Sequence, residues 1–102
     1  MAGGRRIVWT LEATINLEEI LEYVRRDSEL AARQLLAETL AAAESLGALS
    51  ERGRVVPEIA EPAIREIFLR RRRLIYRVSD ETVEILSVIH GARDFQRWRS
   101  ND

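Results

Sequence analysis

The sequence predicts an α+β domain of the order β-α-α-β-β-β, a helical hairpin packed on a small, mainly antiparallel sheet. Three observations carry this. A short β-branched and aromatic run opens the chain at Arg5–Thr10. Two stretches of helical periodicity follow, separated by one brief break. Three strand-like runs close the chain between Ile64 and His90. Helices and strands segregated in this way belong on opposite layers of one core.

Arg5-Arg6-Ile7-Val8-Trp9-Thr10 reads as the first strand, with Trp9 in the core. Leu17, Ile20, Leu21 and Val24 recur at helical spacing, and Asn16 with Glu19 forms a capping-box-like start. Glu18, Glu19 and Glu22 near the start and Arg25 and Arg26 near the end suit the helix dipole. Ser28 is the expected N-cap of a second helix reaching about Leu46. Its apolar stripe is Ala32, Leu36, Leu40 and Ala43, flanked by Leu35, Thr39 and Leu46. Gly47 fits a C′ position, where positive φ is cheap. The short break between two long helices predicts an antiparallel hairpin.

From Ala48 to Pro62 the helical period disappears, and Gly53, Pro57 and Pro62 punctuate the stretch. A connection this long is uncommon in a small domain and is often functional. Strands are then expected at Ile64–Leu69, Arg73–Val78 and Thr82–His90. The last is apolar on both faces, as a central, doubly covered strand should be. Arg70–Arg72 and Ser79-Asp80-Glu81 are the expected turns.

At 102 residues the chain fits a single domain, 1–102. It has no cysteine, which excludes a disulfide scaffold, a thiolate zinc site and a cysteine nucleophile. No metal-ligand motif is present, and neither a metal nor a cofactor is expected. No run is long enough to span a bilayer and no secretory leader precedes the first strand, so a cytoplasmic protein is expected. All sixteen basic residues are arginine. Residues 1–51 hold five Arg against nine Asp/Glu, a net of −4; residues 52–102 hold eleven against eight, a net of +3. The second half either pairs with the first or meets an anionic partner.

The candidates for chemistry are therefore arginines and one histidine. Arg54 lies in the long loop, Arg65 opens the first strand of the meander, and Arg70 to Arg73 surround its first turn. Strand alternation puts Leu74, Tyr76 and Val78 on one face and Arg73, Ile75 and Arg77 on the other. As a set these arginines form either an anion-binding face or an ordinary solvated one paired with Glu58, Glu66 or Glu84. His90 is a general acid or base or a strand-end histidine bonded to backbone or Asp94. Tyr76 reads as a core aromatic with a satisfied hydroxyl. Trp98 anchors the tail or belongs to an interface.

Arg65-Glu66-Ile67, Arg73 to Val78 and Val83 to Phe95, preceded by Gly53 to Glu58, resemble the C-terminal half of RelE/ParE toxins. Leu17-Glu18-Glu19-Ile20, Tyr23 and Ala31-Ala32 are similar to their helical hairpin, so the likeness runs from about Val8 to Phe95. It implies the toxin of a type II toxin–antitoxin pair and a cognate antitoxin that wraps it. RelE-like members are ribosome-dependent mRNA endonucleases; ParE-like members inhibit DNA gyrase and have no established nuclease activity. In a nuclease, Arg65, Arg77 and Arg93 would stabilise the phosphorane, and His90, Glu58 or Glu66 would move protons. This chain lacks the lysines that RelE-like enzymes draw on, and its strand end, Ile89-His90 followed by Asp94, is more similar to ParE-like toxins. The expectation is a gyrase inhibitor; the alternatives are an endonuclease acting on mRNA at the translating ribosome and a non-toxic adaptor domain. Arg54, Arg65, Arg73, Arg77, Arg93, Phe95 and Trp98 are the expected contacts with target or antitoxin.

Overall fold

The structure, a computed structural model, describes residues 4–90. The elements run β1 (Arg6–Trp9), α1 (Leu11–Arg25), α2 (Glu29–Ser45), β2 (Arg54–Val55), β3 (Ile64–Leu69), β4 (Arg72–Val78) and β5 (Thr82–His90). They form one sheet of order β1-β5-β4-β3-β2, antiparallel except where β1 runs parallel to β5. The expected α+β order is therefore correct, with one short strand, β2, added inside the long loop. No helix among the described residues is long and apolar enough to cross a membrane.

Helix α1 begins earlier than its sequence suggests. The N-cap is Thr10, whose Oγ1 accepts from the Ala13 amide at 3.1 Å and donates to the Ile85 carbonyl at 2.8 Å. The Thr10 amide also bonds the Ile85 carbonyl, so β1 passes into α1 without a loop. Asn16 is not a cap. It lies inside α1, where its Oδ1 accepts from the Ser87 hydroxyl at 2.8 Å and the Val88 amide at 3.1 Å. The Asx–x–x–Glu pattern there was a misleading local signal, because the side chain serves the sheet. It serves an irregular place: the β4–β5 register jumps from Ile75↔Ser87 to Tyr76↔Ile85, leaving Leu86 as the extra residue of a bulge. Val83, Ile85 and Val88 all face the helices as a result, whereas Leu86 and Ile89 face away.

Helix α2 is capped by Ser28 as expected, its side chain accepting from the Ala31 amide at 3.0 Å. The buried stripe is Ala32, Leu35, Thr39 and Ala43, so the helix is rotated from the expected line, and Leu36 and Leu40 sit on the outer side. Gly47 does not use positive φ. It is needed for proximity, because a Cβ there would lie 2.7 Å from the Arg5 carbonyl oxygen.

The main core lies between hairpin and sheet, with Ala13, Ala43 and Leu46 against Ile67, Leu74, Tyr76, Val83, Ile85 and Val88. A second cluster, Val56, Ile64, Ile75 and Ile89, fills the opposite face. Residues 56–63 cross that face as a strap and put Val56 and Ile59 on it. The face away from the helices is thus partly covered, not open. In the β3–β4 turn, Arg70 takes a φ of 61°, a conformation that usually selects glycine or asparagine. Its guanidinium is tied to Glu38 of α2 at 2.9 and 3.1 Å.

Tyr76 joins both halves of the structure. Its ring is fully buried, and its hydroxyl donates to the Ser50 carbonyl at 2.8 Å while accepting from the Gly53 amide at 3.0 Å. Gly53 has no room for a side chain: a Cβ would come within 2.6 Å of that hydroxyl and 2.5 Å of the Glu66 carbonyl oxygen. Tyr76→Phe leaves two buried backbone groups unpaired, at a cost of about 1–3 kcal/mol each. The variant is expected to unfold at clearly lower urea with an unchanged m-value; an unchanged midpoint would show the loop held by other contacts.

Candidate functional site

The arginines singled out from the sequence do not share one face. Arg65 is the register partner of Tyr76 and lies on the helix side of β3. It donates to the Gly53 carbonyl at 2.9 Å. Arg54, Arg73 and Arg77 lie on the other side, with Glu66 and Glu84. His90 is exposed at the end of β5, opposite Arg72. Arg93, Phe95 and Trp98 lie outside the described residues.

On the far face the side chains form a ladder of alternating charge. Arg54 Nε donates to Glu66 Oε2 at 2.7 Å, and Arg73 Nε donates to Glu66 Oε1 at 2.6 Å. The remaining edge of Arg73 is bidentate on Glu58 of the strap, at 2.9 and 3.2 Å. The Glu66 side chain is completely buried, and that of Arg73 is 8% exposed. The ladder sits there because β3 and β4 alternate apolar and charged residues on this face. Ile64, Glu66 and Phe68 stand opposite Arg77, Ile75 and Arg73, in that order. Fully desolvated charges persist only when paired and hydrogen-bonded, and here every rung is. Beyond Arg73, Arg77 reaches Glu84 at 3.7 Å, an exposed pair of small energetic weight. Arg54 also lies 5.2 Å from the centroid of the exposed Phe68 ring, a cation–π contact. Phe68 carried no signal in the sequence, because an apolar residue in Ile67-Phe68-Leu69 reads as core.

Two titrations reflect this geometry. Hydrogen bonds from Arg73 hold the Glu58 carboxyl below its ordinary pKa, overcoming the opposing effect of burial. Burial acts to lower the Arg73 pKa, yet its bonds to Glu58 and Glu66 together raise it. A proton-transfer role for Glu66 conflicts with its position, since both its oxygens are held by guanidinium groups in a dry interior. Among the described residues no group of three His, Cys, Asp or Glu could hold a metal ion.

Residues 7–95 match the sequence profile of the ParE toxin of type II toxin–antitoxin systems, parDE. The chain is 35% identical over 89 residues to toxin RelE2 of Caulobacter vibrioides, spanning 86% of this chain and 97% of that protein. Its fold is similar to a solved chain from the chromosomal ParDE system of P. aeruginosa. That TM-score is 0.71 at 20% identity, covering 86% of this chain and 97% of the other.

Two measurements check the ladder. Glu66→Gln weakens its contacts with the buried Arg73 and the exposed Arg54, and a loss of about 3–5 kcal/mol in urea unfolding is expected; a loss near zero would show that Arg73 is held without the Glu66 charge. Glu58 titrates lower in the folded state than its ordinary 4.5. Its stabilisation is therefore present above that pH and is lost as pH falls through the folded-state value. Glu58→Gln should lose less stability than the parent between pH 5 and 3, and parallel curves would contradict this.

Proposed function

The chain belongs to the ParE toxin family of type II toxin–antitoxin systems, and we propose that it arrests growth by binding DNA gyrase rather than by cutting mRNA. Membership in this family implies a cognate antitoxin as partner. The observation that carries the non-enzymatic reading is the separation of the groups a nuclease would need. His90 stands level with Arg72 at one end of β4, and Arg77 lies five residues further along that strand. At a rise of about 3.3 Å per residue this is roughly 17 Å. Arg77 also points away from the helices, while Arg65 points toward them. Cleavage of a phosphodiester requires acid, base and phosphate-stabilising groups within hydrogen-bond reach of the same reacting atoms. His90, Arg65 and Arg77 do not meet that condition, and Glu58 and Glu66 are engaged by arginines.

A binding toxin needs no such convergence. It needs exposed side chains over a broad surface, and Arg54, Arg77 and Phe68 provide them on one face. An RNA-cleaving reading is favoured by one fact, the name of the RelE2 relative. The two readings separate in one pair of assays. Purified chain should block gyrase supercoiling of relaxed plasmid at micromolar concentration, and His90→Ala should block it equally well. New cuts in mRNA on translating ribosomes, abolished in His90→Ala and accompanied by undisturbed supercoiling, would overturn the proposal.

A further inference from the structure

Glu58 occupies a particular place. Arg73 offers two donor edges. Its Nε edge goes to Glu66, which is fully buried and shared with Arg54. Its outer edge, Nη1 and Nη2, goes to Glu58, which is 35% exposed and belongs to the strap, not to the sheet. The strap is tied to the sheet at both ends, where the Val56 amide bonds the Ile64 carbonyl and the Val78 amide bonds the Ala63 carbonyl, with Glu58 between them. It carries Pro57 and Pro62, and it turns through Ala60, whose φ is 58°. Within it, the Ile59 and Ala60 amides both bond to the Val56 carbonyl, at 3.1 and 2.8 Å. Its buried anchor is Val56, two residues before Glu58, with Ile59 partly buried.

We infer that the strap is an autoinhibitory latch: Glu58 is an internal carboxylate that masks Arg73, and an acidic peptide segment of a partner takes its place there. The geometry selects the chemistry. The outer edge of Arg73 already holds a carboxylate in bidentate contact, the arrangement guanidinium groups favour. Exchange of one carboxylate for another leaves no buried guanidinium unpaired, so the large cost of breaking a buried pair does not arise. Val56 and the strap's far end can stay in place while Glu58 swings out, with the partly buried Ile59 lifted from the cluster. The arriving segment would also meet Arg54 and Arg77 on the same face, so several acidic side chains have partners there. The antitoxin that the family implies is the natural source of such a segment. This inference rests on family membership and not on gyrase, so it and the gyrase assay can fail independently.

The test uses the whole chain and two fluorescein-labelled probes, a deca-glutamate peptide and a twelve-nucleotide single-stranded RNA, titrated by anisotropy. Removing the internal competitor in Glu58→Gln should tighten deca-glutamate binding by about tenfold, the scale of one charge-assisted contact. Adding Arg73→Gln to that variant should return the affinity to the parent value or below. In the parent chain, saturating peptide should speed hydrogen exchange at the Ile59 and Ala60 amides, a readout that needs no variant to fold. Peptide affinity within twofold of the parent in Glu58→Gln, or unchanged exchange at those amides, would overturn the latch. Tighter binding of RNA but not of peptide would overturn the occupant proposed for it.

Discussion

The phenol of Tyr76 is the constraint on which the rest of this structure depends. A fully buried hydroxyl must find partners, and this one finds both in the segment that leaves α2. Fixing Ser50 and Gly53 beneath the sheet determines where Arg54 and Val55 emerge, and so creates β2. The β2–β3 register then sets Arg54 opposite Glu66. With Arg54 in place, both oxygens of Glu66 are satisfied, and Arg73 can be buried beside it. The outer edge of Arg73 is left for Glu58. A hydroxyl on the helix side of the sheet thereby organises the charges on the other side.

That ordering explains why an arginine-rich half need not be a uniformly cationic surface. The eleven arginines after residue 51 suggest one anion-seeking face. Their side chains are instead spent in different directions. Arg65 holds a backbone carbonyl, Arg70 secures a strained turn to α2, and Arg73 is buried between Glu66 and Glu58. Arg54 and Arg77 keep substantial exposure while still paired. The surface available to a partner is thus smaller and more mixed in sign than the composition suggests, which favours recognition by matched pairs over attraction by net charge.

Much of the fold was legible because it rests on local patterns. Ile64–Leu69 and Thr82–His90 have the bounds that alternation and β-branching indicate, and Ser28 caps α2 as a serine in that context should. What misled was local chemistry recruited for distant purposes. Asn16 looks like a cap but is held by Ser87 and Val88, more than seventy residues away. Leu36 and Leu40 fit an apolar stripe as well as Leu35 and Thr39 do, and only the hairpin's rotation on the sheet decides between them. β2 has two residues and no periodicity to read. For the candidate site, alternation placed Arg73 and Arg77 on the same face correctly. Burial of Arg73 required knowing the strap, and the distance of His90 from Arg77 required knowing register. A site assembled from four separated segments has no signature within any one of them.

The junction of β1 with β5 has one more consequence. Arg6 to Trp9 pair only with Thr82 to Ile85, so the first strand finds its place when the last one exists. The core beneath the helices draws on Val83, Ile85 and Val88 as well. During synthesis, α1 and α2 can form and meet while the strands that complete the sheet are still unmade or inside the exit tunnel. Contacts of such high sequence separation are slow to form and come late. The place of β1 and the core beneath the helices are therefore completed only once β5 has been made, so the domain closes around its last strand.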